Sequence, residues 1–201
     1  MSESESTVQP GRVRRRRKIV IRRDDHIGDP IGIVWLAGED TIAEVLIQRL
    51  GDYLGPRVKI VKAEISRDIV EVEVEARGWG DEAARLAAAS RDLFQKGAKR
   101  NALSMCREAV ELDPLNPAAT ATLGIILTGL QRHKEALDAL KRAREFGAGG
   151  IEVMLAMTQC AMRLDRLAAA TQYAEEALRL EPRNLTARRT LKEIKQSSSK
   201  A

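Results

Sequence analysis

The residues able to do chemistry are few in this chain, and they do not converge. His26 and His133 are the only imidazoles, and Cys106 and Cys160 the only thiols. Catalytic and metal sites need several such groups at short spacing, or a motif that gathers them. His26 sits in a polar turn and His133 opens a helix beside Lys134 and Glu135, so both read as surface residues. The cysteines show no metal-ligand spacing and fit two buried free thiols in a reducing cytosol. Neither G-x-x-x-x-G-K-[ST] nor G-x-G-x-x-G occurs. The turn Leu36–Asp40 precedes a helix, but Glu39 and Asp40 already place negative charge there and would repel an anion. No pair of carboxylates stands in an apolar setting that would raise a pKa. A non-catalytic protein without cofactor or metal is expected.

The strongest electrostatic signal is a basic run. Residues 1–23 hold Arg12, Arg14, Arg15, Arg16, Arg17, Lys18, Arg22 and Arg23 against Glu3 and Glu5, so this arm carries the chain's net charge of +5. One reading is contact with nucleic-acid phosphates or another anionic surface through Arg12, Arg14, Arg15, Arg16, Arg17 and Lys18. No aromatic residue interleaves them, so base stacking has no support. The other reading is structural. Lys18–Arg23 alternates like a strand, and Glu71, Glu73 and Glu75 give a second strand an acidic face. If the two pair, opposite charges stabilise the sheet by ~0.2–1 kcal/mol per pair and leave Arg12–Arg17 in solvent.

These groups must be positioned by a chain of 201 residues, 44% hydrophobic and 3% aromatic, which has room for one or two domains. No apolar run is long enough to span a bilayer, and no apolar region or small-residue cleavage site follows the basic run. A cytoplasmic protein is therefore expected, with neither a membrane span nor a secretory leader. Residues 1–16 read as a disordered tail, Ser/Glu-rich and then Arg-rich. Residues 17–78 read as a small ββαββ module. Its strands are Ile19–Ile21, Ile31–Leu36, Val58–Ser66 and Ile69–Arg77, and its helix runs from Asp40 to Leu54. Ile42, Val45, Leu46, Leu50 and Leu54 share one face of that helix, and Gly55-Pro56 stops it. Gly78-Trp79-Gly80 is the expected joint and 79–82 the linker, with Trp79 packing across it.

Residues 83–182 repeat with a period of 34. Ala102, Ala136 and Ala170 mark it, as do Ala109, Ala143 and Ala177, while Pro114 and Pro182 stand two periods apart with Ala148 at the midpoint. Small residues at this interval indicate helix–turn–helix units that bury their apolar faces by stacking on one another. The units span about 83–116, 117–150 and 151–184. The second ends in Gly147-Ala148-Gly149-Gly150, where a left-handed glycine can terminate the helix. Asn184 suits an N-cap for a last, polar helix over 185–196, a solvating cap on the stack, so that 83–201 forms one domain.

The repeats resemble the tetratricopeptide repeat (TPR) family. The first unit supplies Leu86, Ala89-Ser90, Leu93, Ala102, Cys106, Ala109 and Pro114. The second supplies Thr120, Leu123-Gly124, Leu127, Ala136, Leu140 and Ala143. The third supplies Met154, Met157-Thr158, Ala161, Ala170, Ala174, Ala177 and Pro182. None carries the family's Trp or Tyr. The resemblance implies an α+β chain: a three-repeat TPR helical solenoid with a C-terminal capping helix, preceded by the ββαββ module and the basic tail.

It also implies a concave groove lined by the first helix of each hairpin. Carried over, the groove holds Ala87, Arg91, Phe94, Ala121, Ile125, Thr128, Leu155, Gln159, Met162 and Arg163. The positions of the carboxylate-clamping Lys and Asn of one TPR subclass hold Ala, Ile, Thr, Leu and Gln, so a clamp on a C-terminal carboxylate is not expected. The anchors would be Phe94, Ile125, Leu155 and Met162. The implied function is a protein–protein adaptor or chaperone-like protein that binds an apolar peptide or protein segment. Two alternatives stand beside it: a nucleic-acid-associated regulator anchored by the arginine run, and a secretion or pilus-assembly chaperone. Against the groove stands the reading that these residues pack on the chain's own α/β module or last helix.

Overall fold

A computed structural model describes residues 13–22, 42–66, 69–78 and 80–198. Strand β1 (Val13–Arg22) is followed by helix α1 (Ile42–Leu54) and strands β2 (Lys59–Ile65) and β3 (Ile69–Gly78). Seven helices complete the described residues. They are α2 (Gly80–Gln95), α3 (Lys99–Leu112), α4 (Pro117–Gly129), α5 (His133–Glu145), α6 (Ile151–Arg163), α7 (Leu167–Leu180) and α8 (Leu185–Ser198).

Alternation along β3 builds the sheet. Val70, Val72, Val74 and Ala76 point to one face and are buried, while Glu71, Glu73 and Glu75 point to the other. β3 is central in the order β1-β3-β2, and both pairings are antiparallel. The register sets Lys18 opposite Glu73 and Arg16 opposite Glu75. On the wet face Arg16 meets Glu75 at 2.9 Å and Glu73 at 3.7 Å, and Lys18 pairs with Glu71. The Glu71 hydrogen bond and charge hold the Lys18 ammonium above its usual pKa. The dry face packs Ile19, Ile21 and the β3 valines on Leu46, Leu50 and Leu54 of α1. Val45, expected on the same helical face, is exposed.

Four expectations need correction or fall outside the described residues. The tail does not extend to residue 16: β1 begins at Val13, because the arginines find an acidic partner strand and gain a full backbone ladder. No four-residue linker separates the two parts, since α2 starts at Gly80. The expected strand Ile31–Leu36 and the joint residue Trp79 lie outside the described residues, so three strands are described where four were expected.

In the helical part, Ala102, Ala136, Ala170, Ala109, Ala143 and Ala177 are all fully buried. The small member of each large–small pair is buried too: Ser90, Gly124 and Thr158. At Gly124 an added Cβ would lie 2.5 Å from Leu140 Cγ, so glycine there sets how closely α4 and α5 approach. The turn within each hairpin repeats as well. Gly97, Gln131 and Asp165 have φ of 82°, 61° and 58°, each one period from the next. The following amides, of Ala98, Arg132 and Arg166, bond back to Leu93, Leu127 and Ala161, which closes each first helix with a Schellman motif.

The junctions between repeats differ. Asp113 and Glu181 are extended ahead of Pro114 and Pro182, as a pre-proline residue prefers. The second repeat instead turns at Gly147 with φ 97°, as expected of a left-handed glycine. That turn delivers Phe146 into the core of the sheet module, which Leu115 from the first junction also enters. The contact is stitched by Arg57 donating to the Glu111 carbonyl at 2.6 Å and the Tyr53 hydroxyl donating to Glu145 at 3.3 Å. The sheet module therefore braces the C-terminal ends of α3 and α5.

Candidate functional site

The first helices α2, α4 and α6 and the last helix α8 enclose a concave groove of about 740 Å³. α2 contributes Phe94; α4 contributes Ile125, Thr128 and Gly129. α6 contributes Glu152, Leu155, Ala156, Gln159, Met162 and Arg163, and α8 adds Thr186, Thr190 and Glu193. The tip of the Phe94 ring reaches α4 so closely that a Cβ at Gly129 would be 2.3 Å from its Cζ. The lining thus mixes an aromatic and aliphatic set (Phe94, Ile125, Leu155, Ala156, Met162) with threonines, Gln159 and charged residues, the α8 side being wholly polar.

Seven of the ten residues assigned to the groove from sequence line it: Phe94, Ile125, Thr128, Leu155, Gln159, Met162 and Arg163. Ala87 does not; its methyl is buried with Ala109 and Ala119 in the seam between helices. Ala121 is likewise buried in the solenoid core. Alanine methyls are short, so helices that approach closely absorb them. Arg91 is not on the lining either. Its guanidinium bonds to Glu152 at 3.1 Å, joining α2 to α6 at the groove's edge.

The sequence reading missed the contribution of α8, although the period contained it. Thr186, Thr190 and Glu193 stand one repeat beyond Glu152, Ala156 and Gln159, which are themselves lining residues. The capping helix is therefore also a fourth wall. No residue of the sheet module lines the groove, so among the described residues that module leaves it open.

The groove's ionisable groups are Glu152, Arg163 and Glu193. Glu152 is met by Arg91, and Glu193 by Arg189 at 3.0 Å. Among the described residues Arg163 has no carboxylate partner. Both thiols are buried, and neither lines the groove. Burial pushes the Cys106 thiol up to about 11, and it raises Cys160 as well, which the Thr128 hydroxyl approaches at 3.2 Å. Thiols so placed stay protonated at neutral pH and are poor nucleophiles. Among the described residues no group of three or more His, Cys, Asp or Glu is placed to hold a metal ion. His133 opens α5, while His26 lies outside the described residues.

The basic run has a definite place. Arg16 and Lys18 face the β3 glutamates, and Arg17 is half-buried near Gly147. Arg14 and Arg15 lie in β1, opposite Arg77 and Ala76; their side chains, and all of Arg12, lie outside the described residues. The expectation that Arg12–Arg17 would all be left in solvent fails at Arg16, which is paired, and at Arg17, which is half-buried.

No family model matches the sequence, and no curated protein matches it. Solved structures do match. The first TPR domain of Spaghetti (RPAP3), bound to the HSP90 peptide SRMEEVD, superimposes with a TM-score of 0.57 at 21% identity over 60% of this chain and 95% of that one. The helical part has the TPR fold. The TPR domain of Arabidopsis OM64 matches with a TM-score of 0.56 at 18% identity, covering 58% of this chain and 97% of that one. The Yersinia enterocolitica type III secretion chaperone SycD, in complex with a peptide of the translocator YopD, matches with a TM-score of 0.51 at 15% identity, over 57% and 92%. Relative to the ordinary TPR pattern, this array has Ala148, just after the left-handed Gly147, where the second inter-repeat proline would stand, and it docks a sheet at that junction. Among the described residues no helix is long and apolar enough to cross a membrane.

Proposed function

We propose that this protein is a non-catalytic adaptor or chaperone-like protein that holds a peptide or protein segment in the concave groove. The observation that carries the reading is the open lining itself, with Phe94, Ile125, Leu155 and Met162 presenting half-buried apolar surface that no part of the sheet module covers. Side chains of an extended or helical segment would enter between these anchors, with Gln159 and Thr190 available to its polar groups. The RPAP3 and SycD domains of like fold hold peptides, which supports the same use here. Holding a segment is common to the adaptor and the secretion-chaperone versions of the role, and the groove serves either.

The nucleic-acid reading has less behind it. Arg16 and Lys18 are spent on glutamates, so the arm's free charge is smaller than its arginine count implies. Removing residues 1–17 to test it would also cut away half of β1. Replacing Arg12, Arg14 and Arg15 by Ser keeps the strand and is the sounder probe.

The deciding experiment is affinity purification from native extract with wild type, Leu155→Glu and Gln159→Trp. Gln159 is exposed, so Trp there fills the groove without burying a charge. A partner held by wild type and lost by both variants, with unchanged melting temperatures, is the expected result. Partners retained by both variants would end the groove reading.

A further inference from the structure

Helix α8 carries three stripes at the spacing i, i+4, i+7, one helical face each. Ala187, Leu191 and Ile194 form the middle stripe and pack on the solenoid, the first and last fully buried. On one side Thr186, Thr190 and Glu193 line the concave groove. On the other side stand Arg188, Lys192 and Lys195, all exposed. They border a cleft of about 380 Å³ against α7, whose apolar surface comes from Leu178 and Leu191.

The repeat period shows what this third stripe replaces. Arg188, Lys192 and Lys195 stand one period beyond Met154, Thr158 and Ala161, and two beyond Thr120, Gly124 and Leu127. All six of those residues are buried, Gly124 directly against the second helix of its hairpin. A second helix packed on α8 in the same way would press against three cations. The cleft thus has the place of a helix site, with an apolar floor and a basic wall.

The charges there are available. Among the described residues Lys192 and Lys195 have no carboxylate partner, and Arg188 is held by its Nε donating to the Pro182 carbonyl at 3.0 Å. From Arg179 to Lys195 six basic residues face Glu181 and Glu193, and Glu193 is already met by Arg189. Leu180 at the end of α7 and Leu185 at the start of α8 are 50% and 79% exposed.

From this we infer that the α7/α8 cleft is a second docking site, and that its occupant is an acidic amphipathic helix of a partner protein. Such a helix puts leucine-like side chains on Leu178 and Leu191, while carboxylates at i, i+4 and i+7 meet Arg188, Lys192 and Lys195. Both halves of the surface are then used. Nucleic acid would meet the cations but leave the leucine floor without apolar contact, and among the described residues no aromatic side chain lines the cleft for base stacking.

The test uses the full chain and fluorescence anisotropy with a fluorescein-labelled helical peptide that carries a glutamate stripe beside a leucine stripe. Saturable binding that weakens with salt is expected, and Lys192→Glu with Lys195→Glu should lower affinity by about tenfold or more. Both lysines are exposed, so the double variant is expected to melt like wild type. Gln159→Trp, which blocks the concave groove, should leave the affinity unchanged; loss of binding there would place the peptide in the other groove and overturn the inference. Equal affinity for the peptide with serine in place of leucine would overturn it, because charge alone would then suffice. Binding of duplex DNA or anionic phosphatidylserine vesicles as tightly as the peptide would overturn it too, in favour of a polyanion or membrane surface.

Discussion

Two glycines on α4, five positions apart, have opposite roles. Gly124 is a packing residue: an added Cβ would sit 2.5 Å from Leu140 Cγ and 3.2 Å from its backbone nitrogen, and Leu140 is fully buried. Overpacking of this kind costs about 1–3 kcal/mol, against a helix-propensity gain of about 1 kcal/mol. Gly124→Ala is therefore expected to lose about 1–2 kcal/mol in urea denaturation, and an unchanged midpoint would refute the packing role. At Gly129 the neighbour is the Phe94 ring, which is only half-buried and has the groove to swing into. Gly129→Ala should change stability by no more than about 0.5 kcal/mol, yet weaken partner capture by displacing that ring. The first glycine was legible as the small half of Leu123-Gly124. The second was not, since its period mates are Gln95 and Arg163 and nothing local marks a ring resting on it.

Caps and turns decide where each helix starts and stops. Asn116 caps α4 by accepting from the Ala119 amide at 3.1 Å, with Pro117 as the first helical residue. Its amide nitrogen also donates to the Gly80 carbonyl at 3.1 Å, which fixes the start of α2 against the start of α4. Asn184 caps α8 through the Ala187 amide, but its second bond goes to nearby Glu181 in solvent. Asn116→Ala should therefore cost about 1–2 kcal/mol and Asn184→Ala about half that, because the first change strands buried groups on two helices. Thermal melts of the two variants check the order, and equal losses would argue against a role for the Gly80 bond. Asn184 was readable as a cap from its position before an amphipathic run. The left-handed turns at Gly97, Gln131 and Asp165 were not, because their period lies in a backbone angle and the three side chains share nothing.

At the scale of the molecule, the sheet module and the solenoid share one core, since Leu115 and Phe146 are buried among the sheet's own apolar residues. A module of about 60 residues is marginal alone, so this shared burial is what stabilises it. Tyr53 reports on the joint. Burial and then the charge of Glu145 push its phenol well above the ordinary value of 10.0. The folded state thus holds the phenolic proton more tightly than the unfolded state does. The corresponding stability is fully present below about pH 10 and is lost as pH rises beyond it. The melting-temperature advantage of wild type over Tyr53→Phe should therefore stay constant from about pH 8 to about pH 10 and shrink above about pH 10. Parallel curves across that range would show that the hydroxyl is solvated and the joint looser than described.

The 34-residue period by itself determined the hairpins, their buried alanines and most of the groove, because each repeat meets its neighbours in the same way and local spacing carries the geometry. Strand alternation likewise exposed the acidic face of β3, and so the partner for the basic run. Tertiary structure decided what no local pattern holds. It set which alanines the helix seams absorb, sending Ala87 and Ala121 inward while Thr186, Thr190 and Glu193 of α8 close the groove. It drew the arginines from Val13 onward into a sheet, and it used the glycine break to seat Phe146 in that sheet's core. The reason is physical: periodicity records how an element meets copies of itself, whereas the brace, the fourth wall and the basic terminal cleft arise where unlike elements meet.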